Sequence, residues 1–163
     1  MASDEDFFYD NMGALNQSRS QDRLASFGIY QIARQLFDDF WTDSELLGRD
    51  YRGRELSKQQ VRSLDSVCAN IEEGFGRGFG KELPQRLKIA RGEARESQGR
   101  YARCNHLLPA DLINQRLATL DHIIGGLTNT INTIEAKQKN EPEVPFTLHP
   151  SPVTRHPSPA TIK

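Results

Sequence analysis

The most constraining pattern in this chain is a series of apolar residues between positions 113 and 134, spaced alternately by four and three. Its members are Ile113, Leu117, Leu120, Ile124, Leu127, Ile131 and Ile134. This spacing places all of them on one stripe of an α-helix. Because a single helix cannot bury so long a stripe by itself, the chain has to provide other amphipathic helices to cover it.

Three earlier segments carry stripes of the same kind. We predict helices over residues 22–42, from about residue 57 to the glycine-rich stretch GFGRGFG, and over residues 81–106. The residues on these stripes are Leu24, Phe27, Tyr30, Ala33, Phe37, Phe40 and Trp41, then Val61, Leu64, Cys68, Ile71 and Phe75, and finally Leu83, Leu87, Ala90, Ala94, Ser97, Tyr101 and Cys104. Residues 44–54 contain two glycines and mixed charges, and are predicted to be a connection.

Four apolar stripes with short connections favour an all-α fold, an antiparallel up-down-up-down four-helix bundle over residues 21–137. Residues 1–20 are polar and acidic around a cluster of Phe7, Phe8 and Tyr9, which indicates a flexible N-terminal arm or a short docking helix. Six of the eight prolines fall in residues 138–163, where HPSP occurs twice. We therefore predict a Pro-rich, disordered tail there.

Glycines mark two places in the predicted bundle. The stretch GFGRGFG has neither the Lys-Ser/Thr of a phosphate-binding loop nor a preceding strand, so it indicates a helix–helix connection. Glycine is favoured at such helix ends because it relieves left-handed backbone strain. Gly125 and Gly126 lie within the fourth helix and predict close approach by another helix.

Several classes of site and location are disfavoured. No apolar run approaches the roughly 18 residues of a membrane span, and the acidic start of the sequence is unlike a signal peptide, so we expect a cytoplasmic protein. Cys68 and Cys104 match no metal motif and, at about 24 Å apart along a bundle, are predicted to be buried reduced thiols. We expect no metal, no cofactor and no enzyme active site.

Positive charge is concentrated in residues 74–106, where eight Lys and Arg face three Glu. Five of these cations are predicted to share the side of the third helix opposite its apolar stripe: Arg77, Lys81, Lys88, Arg91 and Arg95. Arg91 and Arg95 form a like-charge i,i+4 pair with no acid beside it on that face of the helix, while Glu82–Arg86 and Glu96–Arg100 are ordinary i,i+4 ion pairs. The pattern indicates either a nucleic-acid-binding face or a solvated surface.

The segment from residue 66 to 101 resembles the signature of a bacterial family of four-helix-bundle proteins first noticed in intervening sequences of large-subunit ribosomal RNA genes. That family is related to the accessory variability proteins of diversity-generating retroelements. The resemblance extends over about residues 24–135. The matching residues are Ile29, Tyr30, Gln31, Ala33, Leu36, Ser66, Ala69, Asn70, Ile71, Glu73, Gly74, Gly76, Arg77, Glu82, Leu83, Leu87, Ile89, Ala90, Gly92 and Glu96.

The resemblance implies a non-enzymatic bundle that assembles into a homo-oligomeric ring, typically a pentamer. In the retroelement branch it also implies binding of RNA or DNA and of a reverse transcriptase through basic surfaces. Our leading hypothesis is therefore an oligomeric nucleic-acid-binding accessory protein. The alternative is an oligomeric protein-interaction scaffold that binds no nucleic acid.

Overall fold

The computed structural model describes residues 23–78 and 80–140, which form four α-helices. They are α1 (Gly28–Leu47), α2 (Tyr51–Gly76), α3 (Glu82–Ala102) and α4 (Ala110–Asn140). Each helix packs against the next, and α1 also packs against α4. The predicted all-α four-helix bundle is confirmed.

The core of the bundle consists of the predicted stripes. Leu36, Ile71, Leu87, Leu120 and Leu127 are at most 1% exposed and represent all four helices. Trp41 is the exception, since its side chain is 63% exposed although we assigned it to the stripe of the first helix. Phe40 precedes it by one position, about 100° away around the helix, and occupies the core instead.

A buried polar network crosses this core and was not anticipated from the sequence. Arg116 of α4 donates to both carboxylate oxygens of Asp43 of α1, at 2.9 and 3.1 Å, and to Asp39 at 2.6 Å. Tyr101 of α3 donates to Asp43 from 2.7 Å. Burial and this bond raise the pKa of Tyr101. Burial opposes the charge on Arg116, but the aspartates outweigh it and raise the pKa of the guanidinium.

The connection predicted over residues 44–54 is wrong. α1 continues to Leu47 and α2 begins at Tyr51, so only three residues lie between the helices. Asp50 caps α2 by accepting a bond from the backbone N–H of Arg52 at 2.8 Å. Gly53 is buried, and a Cβ added there would overlap the carbonyl group of Leu47. This glycine therefore permits close approach of the two helices and does not interrupt α2.

Other boundaries differ from the predictions by a few residues. α1 begins at Gly28 because residues 23–26 form a turn and Phe27 is extended. α3 ends at Ala102 and turns follow it, whereas α4 runs to Asn140, beyond the predicted start of the tail. The connection between α2 and α3 contains Gly78 with φ of +89°, a left-handed conformation that favours glycine.

Gly126 is used for packing within the chain. A Cβ at this position would overlap the side chain of Ile29, so the predicted close approach is that of α1. Gly125, by contrast, is exposed and has open space around it.

Both cysteines are buried free thiols, as predicted. Burial, assisted by Glu72, raises the pKa of Cys68 to about 12, and burial also raises the pKa of Cys104. Within residues 23–78 and 80–140, no helix is long and apolar enough to cross a membrane. The predictions for residues 1–20 and for most of the Pro-rich tail lie outside the described residues.

Candidate nucleic-acid interface

The predicted basic face lies mainly on α3. Pro84 occupies the first turn of α3. The buried side of this helix comprises Leu83, Leu87, Ala90, Ala94, Ser97 and Tyr101. Lys81, Lys88 and Arg95 are exposed on the opposite side. They span fourteen positions, or about 21 Å along the helix. We refer to these three residues as the α3 ridge.

Arg91 and Lys88 lie where α3 borders α4. Arg91 is half-buried and donates to the Thr128 hydroxyl from 3.3 Å. Lys88 forms an ion pair of 2.6 Å with Glu135 of α4. We expected no acid beside the basic cluster on the face of α3. This holds for the residues of α3 itself, but Glu135 of α4 contributes a carboxylate to the cluster. The bond from Lys88, with the charges of Lys88, Lys139 and Arg91, holds the pKa of Glu135 below its usual range.

Arg77 is not part of α3. It is the C-cap residue of α2, where it forms ion pairs with Glu73 at 2.6 Å and Glu82 at 3.4 Å. Arg77 and Lys81 nevertheless share a surface groove of about 410 Å³ on the α2 side of α3. The groove, which we call the α2–α3 groove, is lined by Arg77, Lys81, Glu82, Gln85, Arg86 and Ile89.

Arg86 also lines the α2–α3 groove, but its ion-pair partner differs from the predicted one. It was predicted to pair with Glu82 on its own helix. It pairs instead with Glu73 of α2 at 2.7 Å and donates to Asn70 from 3.4 Å. By contrast, the predicted Glu96–Arg100 pair is formed, at 2.8 Å. Both helices therefore contribute charges to the groove, which a pattern along one helix does not reveal.

Lys139 is a further cation near this surface, and it was not among the five predicted residues. It belongs to the last turn of α4, beyond the predicted end of the bundle, and lies near enough to Glu135 to affect its pKa. The available signal was the run EAKQKN, which contains no proline or glycine and is compatible with helix continuation.

The geometry of the α3 ridge suits a polyanion better than a small anion. Lys81 and Arg95 form no ion pair within the described parts of the chain, and their charges are separated along the helix axis. A row of spaced, solvated cations matches successive phosphates of a nucleic-acid backbone. It does not form the enclosed pocket that a small ligand requires.

A second surface feature lies at the α1–α2 hairpin. Trp41 and Tyr51 are 63% and 69% exposed, which is unusual for such large aromatic side chains. Beside Trp41 is a mostly apolar groove of about 210 Å³, lined by Phe40, Trp41, Ser44, Ser57, Lys58 and Val61. Exposed tryptophan and tyrosine are among the residue types that are enriched in protein–protein contacts.

Comparison with known proteins identifies one family. Neither the curated proteins nor the solved structures yielded a match to the chain. A family model described as 23S rRNA-intervening sequence protein matches residues 26–129, which extend from before the start of α1 to the middle of α4. Because this match covers most of the chain and nearly all of the bundle, the protein belongs to the 23S rRNA-intervening sequence protein family.

Proposed function

We propose that this protein is a non-enzymatic, homo-oligomeric accessory protein that binds nucleic acid, with RNA as the preferred ligand. The observation that carries the proposal is the α3 ridge of Lys81, Lys88 and Arg95, with Arg91 at its edge. The family description names ribosomal RNA, so RNA is the nucleic acid that we propose and test first. The relation to diversity-generating retroelements that the sequence resemblance implies adds a reverse transcriptase as the proposed protein partner.

The energetics of phosphate binding agree with this assignment. An exposed lysine or arginine keeps most of its hydration and contributes little through a surface ion pair. On contact with a phosphate backbone it releases condensed counterions, which is favourable at low salt. In a ring the ridge would be repeated in every subunit, so contacts that are individually weak would combine by avidity.

Self-association is the second part of the proposal, with a pentameric ring as the favoured assembly. The exposed Trp41 and its apolar groove supply a surface that association would bury. Gly126 supplies no such surface, because Ile29 of the same chain already packs there. We therefore assign the contact between copies to the α1–α2 hairpin.

The test of nucleic-acid binding is a filter-binding titration with single-stranded RNA and duplex DNA at two salt concentrations. The variant Lys88→Gln/Arg91→Gln/Arg95→Gln removes three cations from the proposed face. Each lost phosphate contact makes the negative slope of log K against log salt shallower by about 0.7–0.9, so we expect the slope to become shallower by up to roughly two to three. Circular dichroism should show an unchanged helix content, since none of the three side chains belongs to the core.

The matched control is Arg49→Gln/Arg62→Gln/Arg103→Gln, which removes the same charge from exposed positions outside α3. It should retain most of the affinity and of the salt dependence. Equal losses in the two variants would refute the assignment to α3. A wild-type protein that binds neither RNA nor DNA at low salt would refute the nucleic-acid function and favour the protein-interaction scaffold.

A further inference from the structure

The α2–α3 groove combines one exposed apolar side chain with a cationic rim. Ile89 lies in it and is 41% exposed, although isoleucine is usually buried. Arg77 and Arg86 share Glu73, and Arg77 also contacts Glu82. Lys81 has no ion-pair partner in the parts of the chain that the structure describes. Three cations therefore face two carboxylates around an exposed aliphatic side chain.

This chemistry fits a peptide that carries acidic and aromatic side chains together. The groove is open at the surface, and its exposed isoleucine offers apolar contact to a ring. The surrounding arginines and lysine favour carboxylates, and arginine also stacks on aromatic faces. A purely anionic ligand would leave Ile89 in water, and a purely apolar one would leave the rim unused.

The sequence itself contains such a peptide. The run DEDFFYD, residues 4–10, has four acidic residues around Phe7, Phe8 and Tyr9, and no basic residue. The other segment beyond the described residues, 141–163, has acids only at Glu141 and Glu143 and one aromatic residue, Phe146. Charge complementarity therefore selects residues 4–10.

The described chain starts at the end of the bundle where the groove lies. The ring of Phe27, just before α1, packs on the ring of Phe75 with centroids 5.1 Å apart. Phe75 precedes Arg77, a lining residue of the groove, by only two positions. Tyr9 lies fourteen positions before Arg23, a distance along the chain that can span up to about 46 Å when extended. The segment can therefore reach the groove of its own subunit.

We propose that residues 4–10 dock in the α2–α3 groove of the same chain, with the aromatic cluster against Ile89 and the acids near Arg77, Lys81 and Arg86. The docked acids occupy one end of the α3 ridge, because Lys81 belongs to both surfaces. The segment then competes with nucleic acid for that end. This regulatory consequence rests on the proposed function, whereas the docking itself does not.

The docking is tested on the full chain with ¹³C-labelled isoleucine methyl groups. Replacing the three aromatics by Phe7→Ala/Phe8→Ala/Tyr9→Ala removes their ring currents, so the Ile89 methyl signal should move. The signal of Ile71, which is fully buried, should stay in place. The matched control is Phe146→Ala, which should leave the Ile89 signal unchanged.

Three results would overturn the docking proposal. An Ile89 signal unaffected by the triple variant excludes the contact, and movement caused only by Phe146→Ala assigns the groove to residues 141–163. In mixtures of the labelled triple variant with unlabelled wild type, return of the Ile89 signal to its wild-type position assigns the contact to a neighbouring copy.

Competition with nucleic acid has its own measurement, made on Asp4→Asn/Glu5→Gln/Asp6→Asn/Asp10→Asn. If docking and RNA binding exclude each other and the segment occupies the groove nine-tenths of the time, releasing it raises the apparent RNA affinity about tenfold, and a segment that blocks only the Lys81 end gives a smaller rise. An unchanged affinity, together with a methyl signal that responds as expected, would refute the competition and leave the docking intact. Absence of both RNA and DNA binding by every variant would refute the proposed function, and the methyl result would still decide the docking.

Discussion

The buried pair of Arg116 and Asp43 provides the sharpest test of the bundle's energetics. The Asp43 side chain is 1% exposed and that of Arg116 is 9% exposed. Replacing Arg116 by methionine keeps an unbranched aliphatic stem but removes the guanidinium, which leaves the Asp43 carboxylate buried without its cation. Removing one partner of a buried ion pair costs about 3–5 kcal/mol. We expect the free energy of unfolding to fall by that amount, a large share of the roughly 5–15 kcal/mol of a typical domain.

Urea denaturation, followed by circular dichroism at a fixed protein concentration, measures this loss. With an m value of about 1–2 kcal/mol/M, a loss of 4 kcal/mol lowers the midpoint by roughly 2–4 M. Tyr101→Phe removes one bond to the same carboxylate but leaves the arginine, so we expect a smaller loss of about 1.5–3 kcal/mol. Arg62→Met, at an exposed position of α2, is the control and should change stability by less than about 0.5 kcal/mol.

The combined variant Asp43→Leu/Tyr101→Phe/Arg116→Met distinguishes electrostatics from packing. The substitutions replace the three deeply buried members of the network, so no fully buried charge is left unpaired and the change can be nearly neutral. Asp39 keeps its charge, but its side chain is 33% exposed and accepts a bond from Gln35. The combined variant should therefore be more stable than Arg116→Met alone. If Arg116→Met behaves like the Arg62→Met control, or if the combined variant is the less stable of the two, the uncompensated charge is not the cause and the reasoning is refuted.

Two further predictions concern the α1–α2 hairpin. Gly53→Ala should destabilise the fold by about 3 kcal/mol, because the added Cβ would meet the backbone of Leu47. Gly76→Ala, in open space at the end of α2, is the control and should cost less than about 0.5 kcal/mol in the same urea titration. Light scattering of the wild type should give a multiple of the 18.5 kDa chain mass, with five as the favoured number, and Trp41→Lys should lower it. A wild-type mass of one chain at micromolar concentration would contradict the proposed assembly.

The bundle could be predicted from sequence because its stripes are long and regular. Seven apolar residues at spacings of four and three leave no other secondary structure that buries them together. The error at Trp41 shows where this reasoning stops. Phe40 and Trp41 are adjacent, so both cannot point to the centre of the core, and apolar character alone does not decide between them. The structure places Phe40 inside because α1 turns its Ala33, Leu36 and Leu47 side toward the other helices.

The glycines of the α1–α2 hairpin led to a wrong prediction of the connection for a related reason. Gly48 and Gly53 suggested a long connection, since glycine weakens an isolated helix by about 1 kcal/mol. Gly53 is required because α2 packs directly against the carbonyl group of Leu47 at this position. Local helix propensity contains no information about such a contact between helices. The aspartate at position 50 was a usable signal, because aspartate is a preferred N-cap residue.

The candidate interface was predictable along α3 but not across its neighbours. Helical spacing alone brings Lys81, Lys88 and Arg95 to one side. Their ion-pair partners depend on how α3 is aligned along α2 and α4. The spacing of residues within one helix gives no information about that alignment. That alignment changes how the face should work: a phosphate must compete with Glu135 for Lys88, but it meets no paired carboxylate at Lys81 or Arg95 among the described residues. The two ends of the α3 ridge are therefore expected to contribute more to nucleic-acid binding than its middle, and Lys81 is the end that the acidic segment can cover.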